Sequence, residues 1–474
     1  MDDVAATTTG FPGEPFAGDN IQDFPGLSQK VKEQGEAGLA DAQAFCQVFL
    51  GNPASFAQTL QLYLGRRLRG FGRRLGRRLR GRLGLIRGLV GHAGRDRVRD
   101  LGGGQLGRMW AHVAQRMGYN TAVLDPDAHS PAGLVSHHHI HTDYLNAEGL
   151  QQLAAVCQAV TTEFENVPAD ALAQLAAALP VSPAASAVAV AQDRAREKAH
   201  FVACGVPVAP HAVIDTAAQL AAVNDHLLPG ILKTSRMGYD GKGQLRVTTR
   251  DELNAGWAKL GKVPCVLEKM LPLASECSVI VARGRDGTMV NLPVQRNLHR
   301  DGILAVTEVF VGNVAEALAQ QAITAAKAVA QELNYVGVLC VEFFVLTDGQ
   351  LVVNEIAPRP HNSGHYSQDA CDVSQFELQV RTMADLPLTQ PRLHSPAVML
   401  NLLGDVWFKD TNTSPVEPAW HQVLALPGTH LHLYGKREAR AGRKMGHLNI
   451  TAATPEAARA VALQAASILG IAPF

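Results

Sequence analysis

Residues 336–356 read VGVLCVEFFVLTDGQLVVNEI, two apolar runs separated by Thr347-Asp348-Gly349. This pattern predicts an antiparallel hairpin that turns on the Asp-Gly pair. In that register Glu342 and Glu355 lie six residues from the turn on either side, so they face each other with Cβ atoms roughly 5 Å apart. Two carboxylates inside apolar strands repel each other. A divalent cation with oxygen ligands, most simply Mg²⁺ carried by a nucleotide, would offset that repulsion.

Two neighbouring features bear on this pair. Asn354 lies beside Glu355 and could add an oxygen to a metal site. The segment APRPHNSGH follows at 357–365, where Arg359 and His361 offer donors to a phosphate or an anionic substrate. Two alternatives stay open: a one-residue register slip would turn one glutamate to solvent, and the proline-rich segment could be a stiff surface loop.

Two glycine-rich segments suggest contact with phosphates. Lys233 ends the strand GILKT, and the loop that follows has three glycines within six residues, so its N–H groups could fold over phosphates. Gln244 stands where a Walker A loop needs Lys-Ser/Thr, and a plain glycine hairpin is the alternative. The second segment, GGGQLG at 102–107, opens a helix, and Asp125 ends the next strand. That segment could also be a tight turn without a ligand.

One feature contradicts the usual context of such a turn. The segment HAGRDRVRD at 92–100 is polar and charged where an apolar strand should feed GGGQLG. We therefore expect no strand before the turn. Residues 1–100 are rich in Arg and Gly, and we predict an atypical extension there, either disordered or a product of a reading-frame or start-site error.

The charge balance favours an enzyme of small molecules. Lys and Arg total 43, as do Asp and Glu, but residues 65–100 hold 13 Arg and two Asp, which leaves the rest mildly acidic. That balance disfavours nucleic acid as the main partner. No apolar run is suited to cross a bilayer, so we expect no membrane contact. Seven scattered cysteines without a CxxC pair fit a reducing cytoplasm.

The order of predicted elements indicates three domains after the extension. Helices and short apolar strands alternate over 101–192, which predicts an α/β domain with a parallel sheet. A mixed α+β domain follows over 193–393, and a small C-terminal domain over 394–474. The last domain contains Lys436, Arg443 and Lys444, a charge run that by itself is typical of a solvated surface.

Together these motifs resemble N5-carboxyaminoimidazole ribonucleotide synthase, an ATP-grasp family of purine biosynthesis. The resemblance extends from Leu101 to Phe474, and several of its motifs are individually specific. The segments that carry it are LGGGQLGRM (101–109), EFENVP (163–168), GYDGKGQ (238–244), NLHRDGIL (297–304), VEFFV (341–345), NEIAPRPHNSGH (354–365) and YGKREARAGRKMGHLN (434–449).

This resemblance implies an ATP-grasp fold with a Rossmann-like pre-ATP-grasp domain and a small C-terminal domain. It also implies that ATP and bicarbonate form carboxyphosphate, which carboxylates 5-aminoimidazole ribonucleotide. Mg²⁺ and a homodimer belong to the same expectation. The alternatives are another ATP-grasp ligase with a different acceptor, an inactive nucleotide-binding relative, and a nucleic-acid binder that uses the arginine tract.

The resemblance also implies the roles of individual residues, with Lys233, Arg359 and His361 as the catalytic set. The ATP site would comprise Arg194, Lys233, Gly238, Tyr239, Asp240, Gly241, Lys242, Gly243, Gln244, Glu268, Lys269, Met270, Leu271, Glu276, His299, Asn354 and Glu355. The metal ligands would be Glu342 and Glu355. The ribonucleotide site would comprise Gln105, Leu106, Glu165, Arg359, His361, Lys436 and Arg443.

Overall fold

The structure, a computed structural model, describes residues 97–236, 238, 243–408 and 414–474. The extension predicted over 1–100 lies outside the described residues except for its last four positions. Tyr239, Asp240, Gly241 and Lys242, predicted to lie in the phosphate loop, are also outside them. Within the described ranges, no helix combines the length and the apolar composition that a bilayer crossing requires.

The first sheet has four parallel strands in the order β3-β2-β1-β4, with one helix between β1 and β2 and another between β3 and β4. The strands are β1 Arg97–Leu101, β2 Asn120–Asp125, β3 His138–His141 and β4 Ala159–Thr162. The helices are α1 Gln105–Arg116, α2 Ala147–Ala155, α3 Ala169–Ala176 and α4 Ala185–Ala191. The α/β alternation predicted for this region is confirmed. The carboxyl ends of β1, β2 and β4 meet at one edge, where ligands bind in open sheets of this kind.

The expectation that no strand feeds the glycine turn is wrong. β1 lies in the middle of the first sheet and pairs in parallel with both β2 and β4. Val98 and Leu101 are buried on opposite faces of this sheet and supply its apolar contacts. Because main-chain hydrogen bonds to two neighbours hold a central strand, two apolar positions are enough here despite the charged composition.

Asp100 makes this central strand unusual. Its side chain is fully buried, neither carboxylate oxygen has a well-formed hydrogen bond, and the nearby N–H groups of Glu163 and Leu101 only partly offset the effect of burial. A Cβ atom on Gly107 would lie only 2.5 Å from its Oδ2, so α1 packs closely over it. Burial, reinforced by the charge of Glu163, raises the pKa of Asp100 well above its usual range. The strand therefore carries a buried acid that opposes folding.

The second sheet is antiparallel, in the order β5-β8-β6-β7. Its strands are β5 His211–Ile214, β6 Gly230–Thr234, β7 Gln244–Val247 and β8 Cys265–Lys269. Its helices are α5 Arg194–Ala203, α6 Ala217–Ala222 and α7 Arg250–Lys259. Lys233 of β6 pairs with Gln244 of β7, so the glycine-rich loop joins two adjacent strands, as predicted.

The third sheet has nine strands, in the order β14-β13-β9-β11-β12-β15-β17-β16 with β10 paired to β9. The strands are β9 Leu273–Arg283, β10 Met289–Asn291, β11 Gln295–Arg300, β12 Ile303–Val309, β13 Gly337–Leu346, β14 Leu351–Ala357, β15 Ala397–Leu403, β16 Thr429–Leu433 and β17 Lys444–Thr451. The helices are α8 Glu316–Glu332, α9 Ser367–Ala370, α10 Gln375–Met383, α11 Trp420–Val423 and α12 Pro455–Leu469. Because β12 pairs with β15, this sheet continues across residue 393.

Several apolar clusters hold these sheets and helices together. One cluster packs α8 against β9, β13 and β14, and another packs α12 against β15 and β17. A third joins the first sheet to the large one, because Trp110 of α1 shares it with Phe376 of α10 and with Tyr434. This contact places the glycine turn, the β13–β14 hairpin and the C-terminal loop around one space.

We expect Asp100→Val to stabilise the protein. The substitution removes a buried carboxyl that has no well-formed hydrogen bond, which typically costs about 1–3 kcal/mol. Because the pKa of Asp100 is raised in the folded state, the folded form loses stability relative to the unfolded form as pH rises above the ordinary aspartate pKa. The gain in melting temperature should therefore be larger at pH 8 than at pH 5.

Thr121→Val is the matched control, because Thr121 is buried in β2 but accepts a hydrogen bond from Gln115 at 2.8 Å. It should not stabilise the protein. An unchanged or lower melting temperature for Asp100→Val at pH 8 would contradict the cost assigned to this carboxyl.

Candidate functional site

A cavity of about 1010 Å³ lies between the glycine turn, the β13–β14 hairpin and the loop before β17. It brings together predicted residues from all three parts of the chain. Those that line it are Gln105, Leu106, Glu165, Arg194, Gly238, Glu342, Glu355, Arg359, His361, Lys436 and Arg443. The remaining predicted residues that the structure describes do not line this cavity.

Glu342 and Glu355 are direct cross-strand partners, so the predicted facing of the two carboxylates is confirmed. Glu342 is buried, whereas about 44% of the Glu355 side chain is exposed. Burial together with the charge of Glu355 raises the pKa of Glu342 to about 7. The Arg194 guanidinium lies 3.5 Å from Glu355 and partly compensates its charge. The pair thus concentrates negative charge at the edge of an apolar sheet.

The hairpin reaches this register by a different route from the one predicted. Its turn has three residues rather than two, because Leu346 donates its N–H to the carbonyl of Gln350 at 2.9 Å. Gly349 has φ of +84°, which favours glycine at the last turn position. A bulge at Asn354 then shifts the register by one residue between Phe343 and Glu342. The two departures cancel, and the carboxylates face each other.

Three buried charges lie beside the carboxylate pair. Lys233 donates to Glu268 at 3.0 Å, and the fully buried Lys198 lies 3.5 Å from the other oxygen of the same carboxylate. Lys198 also donates to the carbonyl of Asn354 at 2.8 Å. Burial opposes the ionised form of Glu268, yet the two lysines lower its pKa to about 2. Glu268 is therefore an ionic partner that fixes both lysines.

Glu163 and Asp125 hold the glycine turn through its main-chain N–H groups. Glu163 accepts hydrogen bonds from the N–H groups of Gly104 at 2.7 Å and Gly107 at 3.1 Å. Asp125 accepts from the N–H of Gly103 at 2.6 Å and from the Tyr144 hydroxyl at 2.7 Å. These carboxylates occupy the donors that a dinucleotide phosphate would need at such a turn. The turn is thus a wall of the cavity, held in place by buried acids.

Arg359 and His361 project from the loop that follows β14. Arg359 pairs with Glu165 of the EFENVP segment, which links this loop to the first sheet. The Nε2 atom of His361 lies 3.3 Å from Glu342. Burial, with the neighbouring charge of Arg359, lowers the pKa of His361 well below its usual range, so its imidazole is neutral. A guanidinium and a neutral imidazole therefore stand beside the facing carboxylates.

The C-terminal loop contributes cations from the other side of the cavity. Lys436 donates to the carbonyl of Lys444 at 2.7 Å, and Arg443 donates to the carbonyl of Glu438 at 2.8 Å. Arg440 and Lys444 line the cavity as well. Four cationic side chains on one loop form a surface suited to a phosphate group.

The predicted nucleoside-binding residues lie at the end of β8 and on β9 and β11. Lys269 and Met270 donate their N–H groups to the carbonyls of Pro210 and Pro229, at 2.8 and 2.9 Å. Glu276 of β9 contacts His299 of β11 through Oε2 and Nδ1. The structure therefore places Glu276 and His299 in direct contact, while the main chain at Lys269 and Met270 is held by neighbouring carbonyl groups.

Sequence reasoning missed several residues of the site. Glu163 stands two positions before Glu165 in the same motif, so its position was a usable signal. Tyr144 carried no signal, because its partner Asp125 lies on another strand. The further lining residues not singled out as site residues include Ser130, Gln192, Glu197, Asn362 and Arg440.

Family models match three successive parts of the chain. The ribonucleotide synthetase preATP-grasp domain matches residues 97–192, and the ATP-grasp domain matches residues 199–376. The phosphoribosylaminoimidazole carboxylase C-terminal domain matches residues 397–461. The chain is also similar to N5-carboxyaminoimidazole ribonucleotide synthase of Brucella melitensis, with 44% identity over 73% of this chain and 94% of the relative. For the Bacillus subtilis enzyme of the same name, the identity is 39%, over 73% of this chain and 89% of the relative.

Solved structures agree with these relatives. The N5-carboxyaminoimidazole synthetase of Staphylococcus aureus complexed with ADP has 34% identity and a TM-score of 0.72, over 79% of this chain and 97% of that one. A second solved structure is the N5-carboxyaminoimidazole synthase of Aspergillus clavatus in complex with ADP and 5-aminoimidazole ribonucleotide. It has 32% identity and a TM-score of 0.71, over 79% of this chain and 99% of that one.

The fold and the matched domains define this protein as an ATP-grasp ligase, so the predicted fold class is confirmed. More narrowly, the chain belongs to the N5-carboxyaminoimidazole ribonucleotide synthase family. The resemblance drawn from the motifs is thereby confirmed.

We expect Glu268→Gln to lower the free energy of unfolding by about 3–5 kcal/mol at pH 7, because it leaves Lys233 and Lys198 buried without a counter-charge. The pKa of Glu268 is about 2 in the folded state, below the usual 4.5, so its contribution is complete above pH 4.5 and is lost as pH falls towards 2. In thermal melts, the difference in melting temperature between Glu268→Gln and wild type should therefore become smaller as the pH falls from 4.5 towards 2.

Glu332→Gln, at an exposed position of α8, is the control and should leave the melting temperature unchanged. A Glu268→Gln protein as stable as wild type at pH 7 would show that the buried lysines do not depend on this carboxylate.

Proposed function

We propose that this protein carboxylates the amine of 5-aminoimidazole ribonucleotide, with ATP and bicarbonate, to give N5-carboxyaminoimidazole ribonucleotide in purine biosynthesis. Family membership supports the proposal, as does the related structure that holds ADP and 5-aminoimidazole ribonucleotide. The observation that carries it is that one cavity joins the facing carboxylates, the Arg359–Glu165 pair and the cationic C-terminal loop. Such a cavity can hold a nucleotide and an anionic acceptor together.

The residues present fit Mg²⁺. Glu342 and Glu355 offer carboxylate oxygens from opposite strands, and the buried Oδ1 atom of the adjacent Asn354 has no hydrogen-bond partner. Oxygen donors of this kind are the ligands that Mg²⁺ prefers. We assign Glu342 and Glu355 as its ligands, and the unpartnered oxygen of Asn354 could add a third contact. The ion would supply charge neutralisation for phosphoryl transfer.

The cations around the pair are suited to the triphosphate. We assign Arg194 and Lys233 to the phosphates and residues 238–244 to a covering loop. Burial lowers the pKa of Lys233, but Glu268 opposes that effect, so the lysine can remain a cation beside the phosphates. We assign Glu268, Lys269, Met270 and Leu271 to the adenine, and Glu276 and His299 to the nucleoside.

The groups on the 357–365 loop are suited to bicarbonate. We assign the bicarbonate site to Arg359 and His361, whose guanidinium and neutral imidazole can bind and orient an oxyanion. Attack of a bicarbonate oxygen on the γ-phosphorus of ATP gives carboxyphosphate and ADP. The amine nitrogen of the ribonucleotide then bonds to the carboxyl carbon as the C–O bond to phosphate breaks; phosphate leaves with the bonding electrons and takes up the proton that the amine loses. Carboxyphosphate hydrolyses readily, so the burial of these groups serves to exclude water.

The remaining assignments follow the same resemblance. Gln105, Leu106, Glu165, Lys436 and Arg443 would hold the ribonucleotide together with Arg359 and His361, with Lys436 and Arg443 on its phosphate. We also propose three working parts, 101–192, 193–393 and 394–474, a homodimer and a cytoplasmic location. Buried free thiols such as Cys265, Cys277 and Cys340 support a reducing compartment. Light scattering in solution would test the homodimer.

The deciding experiment is ADP release with bicarbonate, measured with and without 5-aminoimidazole ribonucleotide. The proposal requires that the ribonucleotide stimulate ADP release and that product form in step with ADP. Stimulation by a different amine acceptor instead would identify another ATP-grasp ligase. Nucleotide binding seen by thermal shift, without stimulated ADP release, would identify an inactive relative. Either of those results would overturn the proposal.

Glu355→Gln should lower ribonucleotide-dependent ADP release by at least about 100-fold, because Glu355 would hold the metal that neutralises negative charge in the transition state. The melting temperature should change little, since this side chain is partly exposed. Glu316→Gln, an exposed carboxylate on α8, is the control and should keep full activity. Activity of Glu355→Gln within a few-fold of wild type would remove Glu355 from the metal site.

Arg443→Ala should raise the KM for the ribonucleotide at least about tenfold, because a charge-assisted contact to its phosphate is worth roughly 1.5–3 kcal/mol. The KM for ATP should change little. Arg437→Ala is the matched control on the same loop, since Arg437 is exposed and outside the described lining of the cavity. Equal effects of the two substitutions would show that the loop acts only through its overall charge.

A further inference from the structure

A second set of donor atoms meets at Glu342. The Sγ atom of Cys340, a carboxylate oxygen of Glu342 and a ring nitrogen of His361 all lie within 4.8 Å of one another. Cys340 and Glu342 are two positions apart on β13, so their side chains share one face of the strand. His361 comes from the loop after β14, and its Nε2 atom is 3.3 Å from Glu342.

We propose that Cys340, Glu342 and His361 form a binding site for a thiophilic divalent cation such as Zn²⁺, and that its occupation inhibits the enzyme. One sulfur, one imidazole nitrogen and one carboxylate oxygen are the donors that Zn²⁺ takes in four-coordinate sites. Mg²⁺ prefers an all-oxygen set, so this cluster selects against it. Glu342 and His361 also line the cavity, which leaves a fourth position open on that side.

The protons of the three groups can be accounted for. Nδ1 of His361 lies 2.9 Å from the Ser363 hydroxyl oxygen and accepts the N–H of Ser363 at 3.4 Å in this structure. A metal on Nε2 would move the ring proton to Nδ1, where the Ser363 hydroxyl oxygen can accept it. Cys340 binds a metal as the thiolate, so binding releases the proton of its Sγ atom.

Inhibition follows from shared residues. Under the proposed function, Glu342 binds the metal of ATP and His361 binds bicarbonate, so a cation held by both side chains withdraws them from the reaction. Cys340 is fully buried and has no assigned part in that reaction. Replacing it removes a ligand of the inhibitory site while both reacting side chains remain. The inhibition rests on the proposed function, but the binding of Zn²⁺ does not.

Metal binding can be tested on the full chain without substrates. Zn²⁺ affinity is measured by competition with a chromophoric chelator, and Co²⁺ is added to reveal a thiolate-to-metal charge-transfer band in the near ultraviolet. Cys340→Ala should weaken Zn²⁺ binding at least about tenfold and abolish the band. Cys277→Ala, a buried thiol on the neighbouring strand β9 and outside the cluster, should change neither.

Inhibition is then measured as ADP release at a fixed concentration of Mg²⁺ and ATP over a range of Zn²⁺. Cys340→Ala should keep wild-type activity without Zn²⁺ and need at least about tenfold more Zn²⁺ for half inhibition. If Cys340→Ala does not fold, Cys340→Ser takes its place with the same expected shift.

Two results would overturn the proposal: a Co²⁺ complex of the wild type that has no thiolate band, or equal Zn²⁺ sensitivity of wild type and variant. An enzyme without ribonucleotide-stimulated ADP release would refute the proposed function, and the chelator and Co²⁺ measurements would still decide the metal site.

Discussion

The opposition of Glu342 and Glu355 across one hairpin is the constraint on which the rest of the site depends. An apolar sheet cannot hold two facing carboxylates at low cost, so positive or neutral donors must surround them. Arg194 lies on one side and His361 on the other, and Glu268 fixes two lysines nearby. The charges of the site are therefore interdependent, and each side chain is positioned by the need to balance its neighbours.

Much of this arrangement could be predicted from the sequence because it is local. The hairpin, the glycine loop after Lys233 and the loop that carries Arg359 each lie within a short stretch whose pattern sets its geometry. The facing carboxylates were found even though the predicted turn was one residue too short, since the bulge at Asn354 restored the register. A bulge has no clear sequence signature, so this agreement depended on two departures that cancel.

What could not be predicted depends on contacts between distant parts of the chain. β1 was rejected on its charged composition, but its place between β2 and β4 supplies hydrogen bonds on both edges, which no single-strand pattern can reveal. Glu163 reaches back to the turn at Gly104, and Lys198 reaches forward to Asn354. The sequence signal was weak at these positions because the role of a buried charged side chain can be predicted only when its partner is known, and these partners lie far along the chain.

The large sheet has a consequence for how acceptors are told apart. Its strands run without a break from β13, beside the carboxylates, to β17, which begins at the cationic loop. Under the proposed function, the backbone thus fixes the separation between the place of phosphoryl transfer and the anchor for the acceptor's phosphate. Molecules that carry the right end groups at the wrong spacing can still occupy the cavity, but their amine misses the carboxyl donor. Discrimination between such molecules should then appear in turnover number more than in affinity.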